Sequence, residues 1–318
     1  MLKNGKTVLP ILLALLIWIL PLGFIPTSIL AEDSIAIEYT DALDREITLK
    51  TPKRVAILVG SFADVWSLAG GMDQIVATAD ETANQFNLDL DESVINIGTS
   101  KKPNIEWILS SKPDLVIAGA TTASNVELLP VFEAADIPVV YFEVNTFEEY
   151  LDMLEVCTTL TGREDLYIKN GLEVQEELEV IREAVTYEAQ DPQDILYLRA
   201  SPGKVTVKNS SRSILGEMLQ DLGTNNIADH DNSLLENLSL ERILEADPDK
   251  IFIVLQGHDT AKIEAFLQES ILNTPIWQNL KAVQDGEVYF MDQRLYNYKP
   301  NALWGEAYRG LFEILYAD

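Results

Sequence analysis

The stretch NIEWILSSKPDLVIAG, residues 104–119, reads as one complete helix–strand unit. Asn104 is a polar starter, with a side chain able to accept from the free amides of a first helical turn. A short amphipathic helix follows and ends at Pro113, whose ring has no amide to donate and restricts the residue before it. The run at 115–118 is apolar without alternation, as expected of a parallel-sheet strand covered on both faces. The same pattern returns 135 positions later as SLERILEADPDKIFIV, residues 239–254. Ser239 stands for Asn104, Pro248 for Pro113, the run 251–254 for the first strand, and Glu241 coincides with Glu106.

A second pair of segments supports the repeat. RVAIL at 54–58 leads into a helix ending LAGGMDQIVATAD at 68–80. DILYLRAS at 194–201 leads, after a turn at Pro202-Gly203, into a helix ending MLQDLGTNNIAD at 218–229. Each half therefore supplies strand, helix, strand, helix, strand, which is an α/β lobe with a parallel sheet. Between the halves lies EDLYIKNGLEVQEELEVIREAVTYEAQ, residues 164–190, with Glu, Leu, Val and Ile at helical spacing and a stop at Asp191-Pro192. About 25 residues of helix span roughly 38 Å, enough to cross the back of two adjacent lobes. A disordered acidic linker is the competing reading, and the apolar periodicity argues against it. Residues 37–49, IEYTDALDREITL, have the form of a hairpin turning near 41–44. The expected organisation is an N-terminal lobe at 35–163, a connecting helix at 164–190 and a C-terminal lobe at 191–318.

The amino terminus stands apart. Lys3 and Lys6 precede an apolar run from about Val8 to about Leu30, interrupted by Pro10, Pro21 and Pro26, and Ala31 precedes Glu32 and Asp33. This is the order of an export signal. The run is also long enough to span a bilayer, so residues 1–31 are either a cleaved signal peptide or an N-terminal membrane anchor.

Bulk numbers narrow the function. The 318 residues include 51 acidic and 23 basic side chains, a formal net charge of -28. Such a surface repels nucleic acid and anionic lipid. Cys157 is the only cysteine, so no intramolecular disulfide forms, and its place in YLDMLEVCTTL at 150–160 suits a buried helix position. The two histidines, His230 and His258, are too few for a three-histidine zinc site. His230, in ADHDNS, reads as solvated surface. The chain shows no GxSxG, GxxxxGK or HExxH pattern and no paired cysteines, so nothing in it marks an enzyme.

Four phrases carry a resemblance: PNIEWILSSKPDLVIAG at 103–119, LENLSLERILEADPDKIFIV at 235–254, NTPIWQNLKAVQDGEVYFMD at 273–292 and YKPNALWGEAY at 298–308. Together, and in this order, they resemble the substrate-binding proteins of ABC importers that capture ferric siderophores, haem or cobalamin. The likeness runs from about Ile35 to Tyr316. It implies a class III periplasmic-binding fold: two Rossmann-like lobes joined by one long helix, with the ligand cleft between them. It implies a monomer that carries an iron chelate, haem or cobalamin, has no intrinsic cofactor, and delivers its cargo to an ABC permease dimer with its ATPase. Relatives are often lipid-anchored, but no cysteine follows the apolar run here, so this sequence is not that of a lipoprotein. By the same resemblance, Glu106 and Glu241 match the paired glutamates that contact arginines on the two permease subunits. A membrane-anchored sensor or cell-surface binding protein with the same fold is the rival reading.

Ligands of open α/β sheets meet the loops at the carboxyl ends of strands. Those loops hold Ser61 and Phe62, Thr121 and Thr122, Arg199, His258, Tyr296 and Tyr298, with Ser210 ahead of a helix. Ser61 either lines the cleft or caps its helix. Phe62, Tyr296 and Tyr298 either stack on cargo or fill core and rim. Arg199 either holds carboxylate or phosphate groups of cargo or makes an interlobe salt bridge. Ser210 either donates to an anion or caps the helix after it. His258 is an optional axial ligand to iron. No metal-ligand set is assigned from spacing, and the cargo is left open among the three classes.

Overall fold

The computed structural model describes residues 35–188, 191–211, 213–236, 238–257 and 259–317. The expected signal or anchor at 1–31 lies outside the described residues. Among those that are described, no helix is long and apolar enough to cross a membrane.

The two repeats fold alike for the same local reasons. Asn104 Oδ1 accepts from the Trp107 amide at 3.1 Å and caps helix Ile105–Ser110. Ser239 Oγ accepts from the Arg242 amide at 3.3 Å and caps helix Leu240–Ala246. Both helices stop before their proline, and the residue preceding each, Lys112 with φ 50° and Asp247 with φ 40°, turns left-handed. Each helix buries one isoleucine completely, Ile108 in the first and Ile243 in the second.

In the first half, strands Ile95–Asn96, Ile75–Thr78, Val55–Ile57, Leu115–Gly119 and Val139–Phe142 lie side by side in that order, all parallel. In the second half, the central strands Asp194–Ser201, Lys250–Leu255 and Val288–Met291 are parallel. Here the sheet departs from the expected all-parallel pattern. The turn at Pro202-Gly203 closes a hairpin, and Lys204–Lys208 returns antiparallel against Asp194–Ser201 before the helix Ile214–Asp221 begins. The second sheet is mixed. The hairpin expected at 37–49 is present as Ala36–Thr40 against Glu46–Lys50, with buried Asp41 accepting from the amides of Leu43 and Arg45 in the turn.

Strand alternation divides the core. Val55 and Ile57 face one way in the first sheet; Ala56 and Leu58 face the other. Tyr197 and Phe252 face the cluster of Val55 and Ile57 from the second sheet, while Leu198 and Ile253 are buried in another apolar cluster on the sheet's far side. The two inner faces belong to one continuous apolar cluster that also takes in Leu178 and Trp304. Leu178 lies on the connector, which runs as Glu164–Tyr167, a π-helical turn Ile168–Leu172, and Glu173–Glu188. Val174, Leu178, Ile181 and Val185 form its buried stripe, at the spacing of an amphipathic helix. Arg182 on its other side reaches Glu148 and Asp221, one from each half. Cys157 is buried on helix Phe147–Thr161, and burial pushes its thiol well above its ordinary range.

Candidate functional site

The carboxyl ends of the two sheets converge on a cleft of about 490 Å³. Its first-half wall is the start of helix Gly60–Leu68 with Ser61, the segment of Glu81 and Phe86, and Thr121. Its second-half wall is Gln256-Gly257 and the run Asn297–Lys299. Two glycines are required. A Cβ on Gly60 would stand 2.8 Å from the Glu81 and Thr82 backbone, so a side chain would force these loops apart. Gly257 has φ 145°, a conformation that side chains disfavour. A larger hollow of about 870 Å³ borders Arg54 and the acidic loop around Asp91, but the second half contributes nothing to it.

The floor of the cleft is tied across the halves. Buried Asp64 accepts from Arg294 Nη2 at 3.0 Å and from Asn301 Nδ2 at 2.7 Å. Asn301 Nδ2 also lies 2.9 Å from the Ser61 carbonyl. Burial raises the Asp64 carboxyl above its usual range, although Asn301 and Arg294 both oppose the shift. Arg294 donates to the Lys299 carbonyl at 2.7 Å, which fixes the backbone of the second wall. Its guanidinium carbon lies 4.5 Å from the centre of the Phe86 ring, whose centroid is 6.1 Å from that of Tyr298. The Tyr298 hydroxyl donates to Gln293 at 2.8 Å, so the ring is held from behind.

Positive charge gathers on the second-half side. Lys299 Nζ donates to Asn145 Oδ1 at 3.2 Å. Burial lowers its pKa to about 8; Glu149 and Glu143 oppose this, and Arg199 adds repulsion. Arg199 donates to the Tyr197 hydroxyl at 3.2 Å, while its Nε is buried without a partner. Lys208, across the hairpin, has its pKa lowered by burial and again by Arg199. Among the described residues, the single carboxylate on the cleft wall, Glu81, is occupied by the Ser100 amide at 3.1 Å and hydroxyl at 2.9 Å.

The expected site residues divide. Ser61, Thr121 and Tyr298 line the cleft. Ser61 does not cap its helix; Val59 holds that position without a side-chain bond. Arg199 is not itself on that wall but lies near enough to Lys299 for their charges to repel, and among the described residues it makes no interlobe ion pair; Arg294 makes it instead. Phe62 is 3% exposed and packs edge-on against Phe142 in the core, because its helix turns it under the sheet. Tyr296 is likewise buried, its hydroxyl donating to the Ala307 carbonyl at 3.0 Å, so it anchors the last helix, not a ligand. Thr122 sits at the N-cap of Ala123–Val126, off the cleft wall. Ser210 is buried with its amide on Asp229 at 2.8 Å and its hydroxyl without a partner, also off that wall. His258 lies outside the described residues. His230 is exposed and 3.1 Å from Asn225 Oδ1. Glu106 and Glu241 are both exposed in the first turns of their helices. Sequence reasoning missed Phe86, Asp64, Arg294, Asn301 and the singular position of Lys299. The last three stand beside Tyr296 and Tyr298, whose loop the sequence places at the cleft, and that is the one signal that pointed to them.

Comparison with known proteins places this geometry. A family model described as periplasmic binding protein matches residues 55–295. The Fe(3+)-citrate-binding protein YfmC of Bacillus subtilis is 30% identical over 251 residues, 76% of this chain and 74% of that protein. Among solved structures, the periplasmic heme-binding protein RhuT from Roseiflexus sp. RS-1 superposes with TM-score 0.67 at 18% identity, covering 82% of this chain and 97% of that one. The periplasmic vitamin B12 binding protein BtuF of Vibrio cholerae superposes with TM-score 0.66 at 20% identity, covering 83% and 97%.

Proposed function

The chain belongs to the periplasmic binding protein family, and on that premise we propose that it is the extracytoplasmic solute-binding component of an ABC importer. It captures an iron complex (a siderophore or haem) or cobalamin and delivers it to the permease. Its work is binding and delivery, not catalysis. The observation that carries this reading is the cleft itself: the carboxyl ends of both sheets meet around it, where open α/β sheets hold ligands. The names of the relatives supply the cargo classes: a ferric citrate binder, a haem binder and a vitamin B12 binder.

The parts follow from that role. Residues 35–163 and 191–318 are the lobes and 164–190 the connector, so the shared core and the helix keep the opening between lobes nearly constant. Residues 1–31 direct export, either cleaved or kept as an anchor, and the protein acts as a monomer in the periplasm or at the outer face of the cytoplasmic membrane. Ser61, Thr121, Arg199 and Tyr298 contact cargo. Glu106 and Glu241, exposed at matched places in the two repeats, meet the two subunits of a permease dimer, a two-fold receptor for a pseudo-two-fold face.

Titrating the purified protein with a panel of ferric chelates, haemin and cyanocobalamin, read by tryptophan fluorescence, tests the proposal. Saturable binding of one panel member, in the micromolar range or tighter, is the expected result. Binding of a free divalent metal or a sugar, with no response to the panel, overturns it.

A further inference from the structure

The carrier reading leaves open which chemical class of cargo the cleft selects, and the charge pattern around it decides between them. The chain as a whole has more than two acidic side chains for every basic one. Among the described residues the cleft inverts that ratio: Lys101 and Lys299 line it, and its one carboxylate, Glu81, already has its oxygens occupied by Ser100. Arg199 and Lys208 stand behind Lys299 on the hairpin of the second sheet. Among the described residues, none of Arg199, Lys208 and Lys299 is within ion-pair distance of a carboxylate, although acidic partners abound elsewhere on the surface. Arg199 keeps a buried Nε with no acceptor and repels both lysines. Glu143 and Glu149 attract Lys299 from beyond ion-pair distance and offset only part of its burial, so a bound anion relieves these crowded cations further.

The remaining wall is of mixed character. Its apolar side chains are Val59, Phe86 and the Tyr298 ring, and Ser61, Thr99, Ser100, Thr121, Gln256 and Asn297 add hydrogen-bonding groups. No described residue on it is a histidine, methionine or cysteine, and the Tyr298 hydroxyl is engaged by Gln293. The described residues of this wall offer hydrogen bonds to an already saturated iron complex and little to an open axial position.

Resting on the carrier reading, we infer that the cargo is a small ferric chelate of net negative charge that presents carboxylates toward Arg199 and Lys299, rather than haem, a corrinoid or a neutral chelate. Ferric citrate, haemin, cyanocobalamin and a neutral ferric trihydroxamate are titrated into the whole protein by calorimetry at two salt concentrations. Ferric citrate is expected to bind at least tenfold more tightly than the other three, and less tightly as salt rises. Arg199→Gln and Lys299→Gln are each expected to weaken it on the order of tenfold or more, as loss of a charge-assisted contact does. Lys299→Arg retains most of the affinity, and Lys281→Gln, on an exposed helix away from the cleft, retains all of it. Urea unfolding of each variant separates lost binding from lost folding. If haemin, cyanocobalamin or the trihydroxamate binds more tightly than ferric citrate, or if both glutamine variants bind ferric citrate like the native protein, the anionic class is wrong while the carrier reading stands. If none of the four binds, both fall.

Discussion

The outer ends of the two repeats are near copies, whereas the two walls of the cleft are not. At the outer ends, Asn104 and Ser239 cap, Ile108 and Ile243 are buried, and Glu106 and Glu241 are exposed, each pair 135 positions apart. At the cleft, the first wall offers hydroxyls, a satisfied carboxylate, Phe86 and Lys101, and the second offers the amides of Gln256 and Asn297, Tyr298, and Lys299 with Arg199 close to it. The scaffold and its exposed outer ends obey a common local pattern, while the cleft walls differ between the lobes. The permease docking proposed above calls for the first property, and a cargo without two-fold symmetry calls for the second.

The scaffold half of this comparison is the easiest to break. Ile108→Ala and Ile243→Ala each remove a fully buried side chain and are expected to cost about 2–5 kcal/mol, with similar values for the two. Urea unfolding of the single variants measures both. If one is nearly neutral, the repeats share a fold without sharing its energetics.

Next in size is the tie between the lobes. Asp64→Ala leaves Arg294 without its carboxylate and Asn301 without one acceptor, in a place where the two ionised side chains are 12% and 24% exposed. The expected loss is about 2–3 kcal/mol, below the range for a fully buried pair because some water reaches it. Asp64→Ala also frees the segment that holds Arg294 over Phe86, so the cleft opens. X-ray scattering is expected to show this as a larger radius of gyration in the variant, and to show little change between the empty and loaded states of the native protein. A native protein that contracts by several ångströms on binding contradicts the part given to this tie and to the shared core.

How much of this was legible depended on the range of the interactions. The repeat, its caps, its prolines and the connector are set by neighbours within a few residues, and residues 104–119 and 239–254 state them openly. The turn at Pro202-Gly203 was legible as a turn, but the antiparallel return of KVTVK was missed because a helix was expected to follow directly; the alternation in Lys204–Lys208 was the available sign. Asp64, Arg294 and Asn301 meet across 230 or more positions, and no local pattern announces such a contact. Phe62 and Tyr296 fell on the wrong side for a related reason. An aromatic beside a loop looks the same in sequence whether its helix turns it toward the cleft or toward the core.

The asymmetry of the walls is sharpened by Lys299. Its pKa in the folded protein is about 8, against about 10.4 for an unperturbed lysine, because burial and Arg199 outweigh Glu149 and Glu143. Below about 8 the ammonium is charged in both folded and unfolded chains, so its cost is fully present. As pH rises from there toward the unfolded value, the folded chain releases the proton first and stability increases. Nitrogen-detected NMR of labelled lysines is expected to show one resonance titrating near 8 that disappears in Lys299→Gln and moves to higher pH when an anionic chelate binds. A Lys299 resonance that titrates with the bulk of the lysines would remove the argument that burial at the second wall outweighs the counter-charge of Glu149 and Glu143.

The smallest effects are expected where symmetry is complete. Glu106 and Glu241 are exposed, and each lies in the first turn of a helix, where a carboxylate is favoured by the helix dipole by about 0.3–1 kcal/mol. That local benefit explains either residue alone. It less readily explains two at matched positions, with the residues beside them free to differ, Trp107 in one repeat and Arg242 in the other. The double variant Glu106→Ala/Glu241→Ala is therefore expected to lose no more than about 2 kcal/mol of stability, the sum of two such terms, and to bind cargo like the native chain, since neither residue lines the cleft. Uptake and stimulation of the importer's ATPase are expected to fall sharply in that variant, and to fall by comparable amounts in the two single variants if a two-fold permease reads both. Unequal single variants would make docking as asymmetric as the cleft, with Trp107 then the natural next substitution because half of its surface is exposed beside Glu106. Native uptake in the double variant would assign both glutamates to their helices alone.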